Sequence, residues 1–164
     1  RPIRALTLSA LAPRRGEALW DLGAGSGSIS VEWCLAGGFA HAVEARGDRV
    51  ANIRTNAAWF GVDHRLAVHE GAWGEVIAGL PLPDAVFVGG GADAGLMARL
   101  IGLLPRGVRL VTNAVTLESE ALAYGLQAAH GGELFRFDVA RDAPLGRMRG
   151  WTAARPVVQW SAVL

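Results

Sequence analysis

Two features of this chain could do chemistry together. One is a loop of alternating glycines, Gly23, Gly25 and Gly27, in Asp21-Leu22-Gly23-Ala24-Gly25-Ser26-Gly27; the other is Glu44, 21 positions beyond Gly23. Alternating glycines allow a tight turn and remove the Cβ atoms that would keep a ligand off the backbone. A carboxylate about 20 residues past such a loop sits where it can accept hydrogen bonds from the hydroxyls of a ribose. Loop and acid together read as a nucleoside site.

The dinucleotide fingerprint, G-x-G-x-x-G, asks for a glycine where this chain has Ser28. The G-x-G-x-G form suits a ligand without a pyrophosphate, and S-adenosyl-L-methionine is the cofactor it predicts, with S-adenosyl-L-homocysteine as its product. Backbone and side chains of Gly23, Ala24, Gly25, Ser26 and Gly27 form the expected cradle. Asp21 either holds the ammonium of the methionine moiety or accepts donors within the turn. Further along, Glu70-Gly71-Ala72-Trp73 follows an apolar run, and Gly71 and Ala72 are the expected adenine contacts. Trp73 could stack on the base or belong to the core.

Positioning these residues takes strands that end at the loops. Apolar runs at 18–22, 39–44, 65–69, 84–88 and 108–112 alternate with helical spacing, beginning with a helix over 2–11. That alternation predicts a parallel sheet covered by helices. Residues 134–140 and 156–163 read as two more strands, separated by a polar Gly/Arg loop and no helix, hence as a closing antiparallel hairpin. The fold class expected is α/β, a Rossmann-like class I S-adenosylmethionine-dependent methyltransferase with a seven-stranded sheet, in one domain over 1–164. A nicotinamide-binding domain would continue with further parallel units.

Composition bounds the partners. Sixteen basic residues, every one an arginine, against fifteen acidic give a net charge of +1, too balanced for a nucleic-acid-wrapping or anionic-membrane surface. Although 51% of residues are hydrophobic, no uninterrupted run approaches the roughly 18 needed to cross a membrane. The single cysteine, Cys34, permits no intrachain disulfide and no cysteine cluster for zinc, so no metal is expected. The start of the chain shows no tripartite leader, which makes the cytoplasm the expected location. A first residue Arg1 in place of Met suggests the C-terminal part of a longer fusion chain.

Four blocks are more distinctive than the glycine loop: Ile3 to Ser9, Leu19 to Ser28, Phe87-Val88-Gly89-Gly90-Gly91, and Leu110 to Glu118. Together they resemble the decarboxylating precorrin-6Y C(5,15)-methyltransferase family of cobalamin biosynthesis, in particular its carbon-15 domain, over essentially the whole chain. The resemblance implies methylation of meso carbon 15 of a precorrin-6 tetrapyrrole and decarboxylation of the acetate on carbon 12. It also implies a homotetramer, and a carbon-5 methyltransferase domain in the same or a partner chain. A family threonine upstream of the first helix, which contacts the cofactor, has no counterpart in this chain.

A meso carbon conjugated to pyrrole nitrogens is an enamine-like nucleophile, so methyl transfer needs in-line approach more than a strong base. In keeping with that, Gly89, Gly90 and Gly91 stand where nitrogen methyltransferases carry an Asn/Asp-Pro-Pro-Tyr block. Three glycines would let a flat macrocycle lie on the backbone, or simply form a strand-to-helix turn. Decarboxylation needs a pocket that strips water from the carboxylate, the macrocycle itself acting as electron sink. Arginines are the natural handles for the substrate's carboxylates, with Arg147 and Arg149 first and Arg4 behind them. Asn113 could hydrogen-bond a ring substituent, and Glu118 could serve as acid or base or favour a helix start. Two other functions are open to this sequence: an RNA methyltransferase of the tRNA adenine-N1 type or another small-molecule enzyme, and a non-catalytic cofactor-binding scaffold.

Overall fold

The structure is a computed structural model that describes residues 2–164. Its elements alternate as the apolar runs predict: α1 (Pro2–Leu11), β1 (Ala18–Leu22), α2 (Ser28–Leu35), β2 (Phe39–Glu44), α3 (Gly47–Trp59) and β3 (Leu66–Glu70). A short α4 (Trp73–Val76) leads to β4 (Ala85–Val88), α5 (Ala94–Leu103), β5 (Arg109–Ala114) and α6 (Leu117–His130). Gly61, in the left-handed region at φ 66°, follows the end of α3 as expected of a helix terminator.

The near-continuous apolar strands are buried on both faces, and successive residues serve opposite layers. Trp20, Leu22, Val86, Val88 and Leu110 pack against Leu96, Met97 and Leu100 of α5 and Ala123 and Leu126 of α6. Leu19, Phe87 and Val111 face the other way, onto Leu11 of α1, Trp33 of α2 and Ile53 of α3. Strands β1 to β5 are parallel and ordered β3-β2-β1-β4-β5, so the chain reverses direction across the sheet between β1 and β4. Their carboxyl ends at that switch point carry the glycine loop and the Gly89–Gly91 run.

The sheet closes with β9 (Val157–Val163) inserted antiparallel between β5 and β6 (Glu133–Phe137), giving seven strands in the order β3-β2-β1-β4-β5-β9-β6. This is the Rossmann-like class I methyltransferase arrangement, with the antiparallel closure expected.

One expectation fails: the polar stretch between the last two strands is not a loop. Residues 140–153 form a separate two-stranded ribbon, β7 (Ala140–Leu145) and β8 (Met148–Ala153), paired antiparallel. Gly146, at φ 60°, takes the first position of its two-residue turn, as a type II′ hairpin requires. Almost every residue of the ribbon is exposed, so its strands carry no buried face and no period-two apolar signal. No helix among the described residues is long and apolar enough to cross a membrane.

Candidate active site

Two clefts open at the carboxyl edge of the sheet. The first, about 600 Å³, is lined by Leu22, Gly23, Gly25, Val43, Glu44, Ala45, Arg49, Gly71, Ala72, Trp73, Gly90, Gly91 and Leu96. The second, about 760 Å³, lies between the β4–α5 and β5–α6 loops and includes Asn113, Thr116, Glu118 and Ser119. Gly90 and Gly91 line both. The clefts therefore meet along one stretch of side-chain-free backbone.

Each glycine of the first loop has its own reason. A Cβ on Gly23 would run into the carbonyl oxygen of Gly90, and one on Gly27 would sit 2.7 Å from Ile53. Both glycines clear the fold itself, not a ligand. Only at Gly25 is the space beyond the backbone open, with φ 60°. Gly25 N–H donates to Glu44 Oε2 at 2.9 Å, and Arg46 N–H donates to Glu44 Oε1 at 3.1 Å. A carboxylate accepts about four hydrogen bonds, so the buried Glu44 keeps capacity for a vicinal diol. Arg49 stands 3.7 Å from the same carboxylate and was not legible as a cleft residue, since the helical pattern alone does not say which turn of α3 faces the loop.

Asp21, Ala24, Ser26 and Gly27 do not line the cleft but shape its wall. Asp21 is buried on the α2 side of β1, where its Oδ2 accepts from the Ser30 backbone at 3.2 Å and the Ser30 hydroxyl at 2.6 Å. Its Oδ1 is buried with no partner. Burial pushes the Asp21 carboxyl up to about 6, the Ser30 bonds pull against that, and the nearby Glu44 charge adds to it. Ala24 N–H is tied to the Val43 carbonyl at 3.1 Å, and the Ser26 carbonyl accepts from Asn56 at 2.9 Å. Gly71, Ala72 and Trp73 all border the cleft, and Arg99 lies 5.8 Å over the Trp73 ring.

In the β4 loop, Gly89 is a packing glycine, because its Cβ would fall 2.8 Å from the Gly23 carbonyl oxygen. Gly90 and Gly91 look onto open space. In the second cleft Asp93 caps α5 through the Leu96 N–H at 2.8 Å, and Thr116 and Ser119 cap α6 reciprocally. Glu118 occupies the first turn of α6, where a hydrogen bond from its own backbone N–H and one from Thr116 hold its carboxyl below the usual range. It is an ionised hydrogen-bond acceptor, and the lowered value makes it a weaker base than a free carboxylate.

The three arginines stand apart from both clefts. Arg4 pairs with Glu32 of α2 at 3.3 Å. Arg147 occupies the turn of the ribbon, and Arg149 pairs with Asp142 across it. None of the residues lining the second cleft is cationic. Cys34 is buried, its thiol donating to the Arg65 carbonyl at 3.4 Å and pushed up to about 11 by burial, so it is no thiolate nucleophile.

The family described as precorrin methyltransferase domain matches residues 1–164. The chain belongs to that family. It is 52% identical over 164 residues to the precorrin-6Y C(5,15)-methyltransferase (decarboxylating) of Sinorhizobium sp., spanning 98% of this chain and 40% of that protein. It is 35% identical over 162 residues to a probable cobalt-precorrin-6B C(15)-methyltransferase (decarboxylating) of Pyrobaculum calidifontis, with 94% of this chain and 83% of that protein covered. The crystal structure of the C-terminal domain of precorrin-6Y C5,15-methyltransferase from Rhodobacter capsulatus matches with a TM-score of 0.97 at 56% identity, over 99% of this chain and 89% of that one. The chain spans about two-fifths of the length of the longer curated relatives it matches.

The paired glycines make a sharp prediction. Gly89→Ala should destabilise the domain by about 2 kcal/mol or more in urea unfolding, because the methyl meets rigid backbone. Gly90→Ala should stay within about 0.5 kcal/mol of wild type. Equal losses at the two positions would show that the contact between the loops is not what requires Gly89.

Asp21 makes a second. A carboxyl raised on folding favours the folded state below about pH 4, and that contribution disappears as pH rises through 6. Relative to Asp21→Asn, wild type should lose on the order of 3 kcal/mol between pH 4 and pH 7 in ligand-free unfolding experiments. Parallel pH profiles for the two proteins would contradict the shift.

Proposed function

We propose that this domain binds S-adenosyl-L-methionine in the first cleft and a precorrin-6 tetrapyrrole in the second, methylating meso carbon 15 and decarboxylating the carbon-12 acetate. The observation that carries this reading is the shared border at Gly90 and Gly91, where a donor in one cleft and a carbon acceptor in the other can meet without an intervening side chain. The names of the Sinorhizobium, Pyrobaculum and Rhodobacter relatives support the choice of substrate.

The residues present fit the cofactor. Glu44 has acceptor capacity for the ribose, Gly71, Ala72 and Trp73 offer backbone and apolar surface for the adenine, and Asp21, behind the cleft wall with one oxygen unpartnered among the described residues, would meet the ammonium through water. When bound, the cofactor supplies an electrophilic methyl group on a sulfonium. The protein's task is then orientation, since an enamine-like carbon needs alignment within van der Waals reach more than proton abstraction. Glu118, held ionised on the lining of the second cleft, would accept a hydrogen bond from a substrate donor. For decarboxylation the apolar lining, including Val115 and Leu122, lowers the hydration of the departing carboxylate.

Incubating the domain with S-adenosyl-L-methionine and a precorrin-6 substrate should yield a product heavier by one methyl and lighter by one carbon dioxide. An unchanged mass under saturating cofactor would reject the assignment. An RNA methyltransferase would instead show tight, salt-sensitive tRNA binding, which the net charge of +1 does not favour. Binding of S-adenosyl-L-homocysteine without any turnover would point to the scaffold role.

The assembly proposed is a homotetramer working with a carbon-5 methyltransferase domain in the same or a partner chain. Leu145, Met148 and Trp151 on the ribbon are exposed by 69%, 74% and 79%, more apolar surface than an isolated hairpin keeps in water without a partner. Arg147 and Arg149 lie on the same ribbon, one in its turn and one on β8. Light scattering of the purified domain should give four times the chain mass, and a monomer at micromolar concentration would refute the assembly.

A further inference from the structure

The second cleft is expected to hold a polycarboxylate, yet among the described residues no arginine lines it, so recognition of an anion there falls to neutral donors. Its polar side chains are mostly committed already. Asp93 and the Thr116–Ser119 pair cap helices, and Glu118 only accepts. That leaves Asn113.

Asn113 is held from behind by two side chains that lie outside this cleft, Thr7 of α1 and Gln159 of β9, exposed by 0% and 2%. Thr7 Oγ donates its single proton to the Ile3 carbonyl at 2.9 Å. Its oxygen can then only accept, and it does so from Asn113 Nδ2 at 2.8 Å and Gln159 Nε2 at 3.2 Å. Gln159 Nε2 gives its second proton to Asn113 Oδ1 at 2.9 Å. Turning either amide over would set oxygen against an oxygen with no proton to share, or NH2 against NH2. The back-bond inside α1 therefore fixes both amides in one orientation. Asn113 is left with one N–H that has no partner among the described residues, on a residue that lines the cleft.

We infer that Thr7 and Gln159 are positioning residues that hold Asn113 as a donor of fixed polarity for a carboxylate oxygen of the substrate. This rests on the function proposed above and assigns α1 a part in it: the first helix sets the direction of a substrate contact at the end of β5, 106 positions further along the chain. The recognition is neutral-to-anion, so it needs an oriented N–H and gains little from a flexible one.

The test compares wild type with Thr7→Val, which keeps the shape and removes the acceptor, and Thr7→Ser, which keeps the acceptor. With precorrin-6 as substrate, Thr7→Val should lower kcat/KM for the tetrapyrrole about tenfold, while KM for S-adenosyl-L-methionine and binding of S-adenosyl-L-homocysteine stay at wild-type levels. Thr7→Ser should recover to within about twofold. A Thr7→Val enzyme with unchanged tetrapyrrole kcat/KM, or a Thr7→Ser enzyme as impaired as Thr7→Val, would overturn the inference. A second readout needs no turnover, so it separates this inference from the activity assignment. In nitrogen-15 spectra of the intact domain, uroporphyrin, a tetrapyrrole polycarboxylate, should shift the Asn113 side-chain amide in wild type and Thr7→Ser but not in Thr7→Val. A wild-type amide that does not respond to uroporphyrin, or that responds equally in Thr7→Val, would also overturn it.

Discussion

The contact on which the site depends is one of backbone against backbone. Where β1 and β4 end, the loops after them press together so closely that a Cβ on Gly23 would overlap the Gly90 carbonyl and one on Gly89 would crowd the Gly23 carbonyl. Parallel neighbours in a sheet lie about 4.8 Å apart, and their loops can stay that close only if neither carries a side chain into the gap. Because they do, the two clefts share Gly90 and Gly91 as a common edge. A bulkier pair of loops would push the clefts apart and separate any methyl donor from its acceptor by more than a reacting distance.

Around that contact, two acids of similar chemistry receive opposite treatment. Glu44 at the end of β2 is met by the N–H groups of Gly25 and Arg46 and by the nearby Arg49, so its charge is balanced where it faces the cleft. Asp21, one layer deeper on β1, is shut in against α2 with only Ser30 for company, and its second oxygen has no partner. A buried carboxylate with an idle oxygen costs stability in the empty protein.

The edge farther from the glycine loop follows a different logic. β9 runs between β5 and β6, and its Gln159 lies beside Asn113 in the register of the antiparallel pair. The closure of the sheet is thereby tied to the second cleft through an amide network that also reaches α1. Trp160, next along β9, points to the opposite layer, where its indole donates to the Gly131 carbonyl at 2.9 Å and fixes the end of α6. One strand thus anchors both the core and the cleft wall.

Much of this was legible in the residues. The five parallel strands, their helices and the cofactor-side glycines are written in local apolar runs and turn residues, which act over a few positions and need no partner to be read. Glu44, Gly71 and Ala72 were equally visible, because their distance from the loop is set by the length of a strand and a helix. The ribbon was not, since strands exposed on both faces carry no alternation. The separate tasks of Gly23, Gly25 and Gly27 were hidden as well: a glycine's identity says that a Cβ is excluded, but only the neighbouring loop shows by what. The same holds for Thr7, Asn113 and Gln159. Thr7 and Asn113 are 106 positions apart along the chain and Asn113 and Gln159 are 46 apart, and no local pattern can bring an N-terminal hydroxyl, a β5 amide and a β9 amide to one point. Only the packing of α1 across the β5–β9 edge does that, and with it decides which way the Asn113 amide faces.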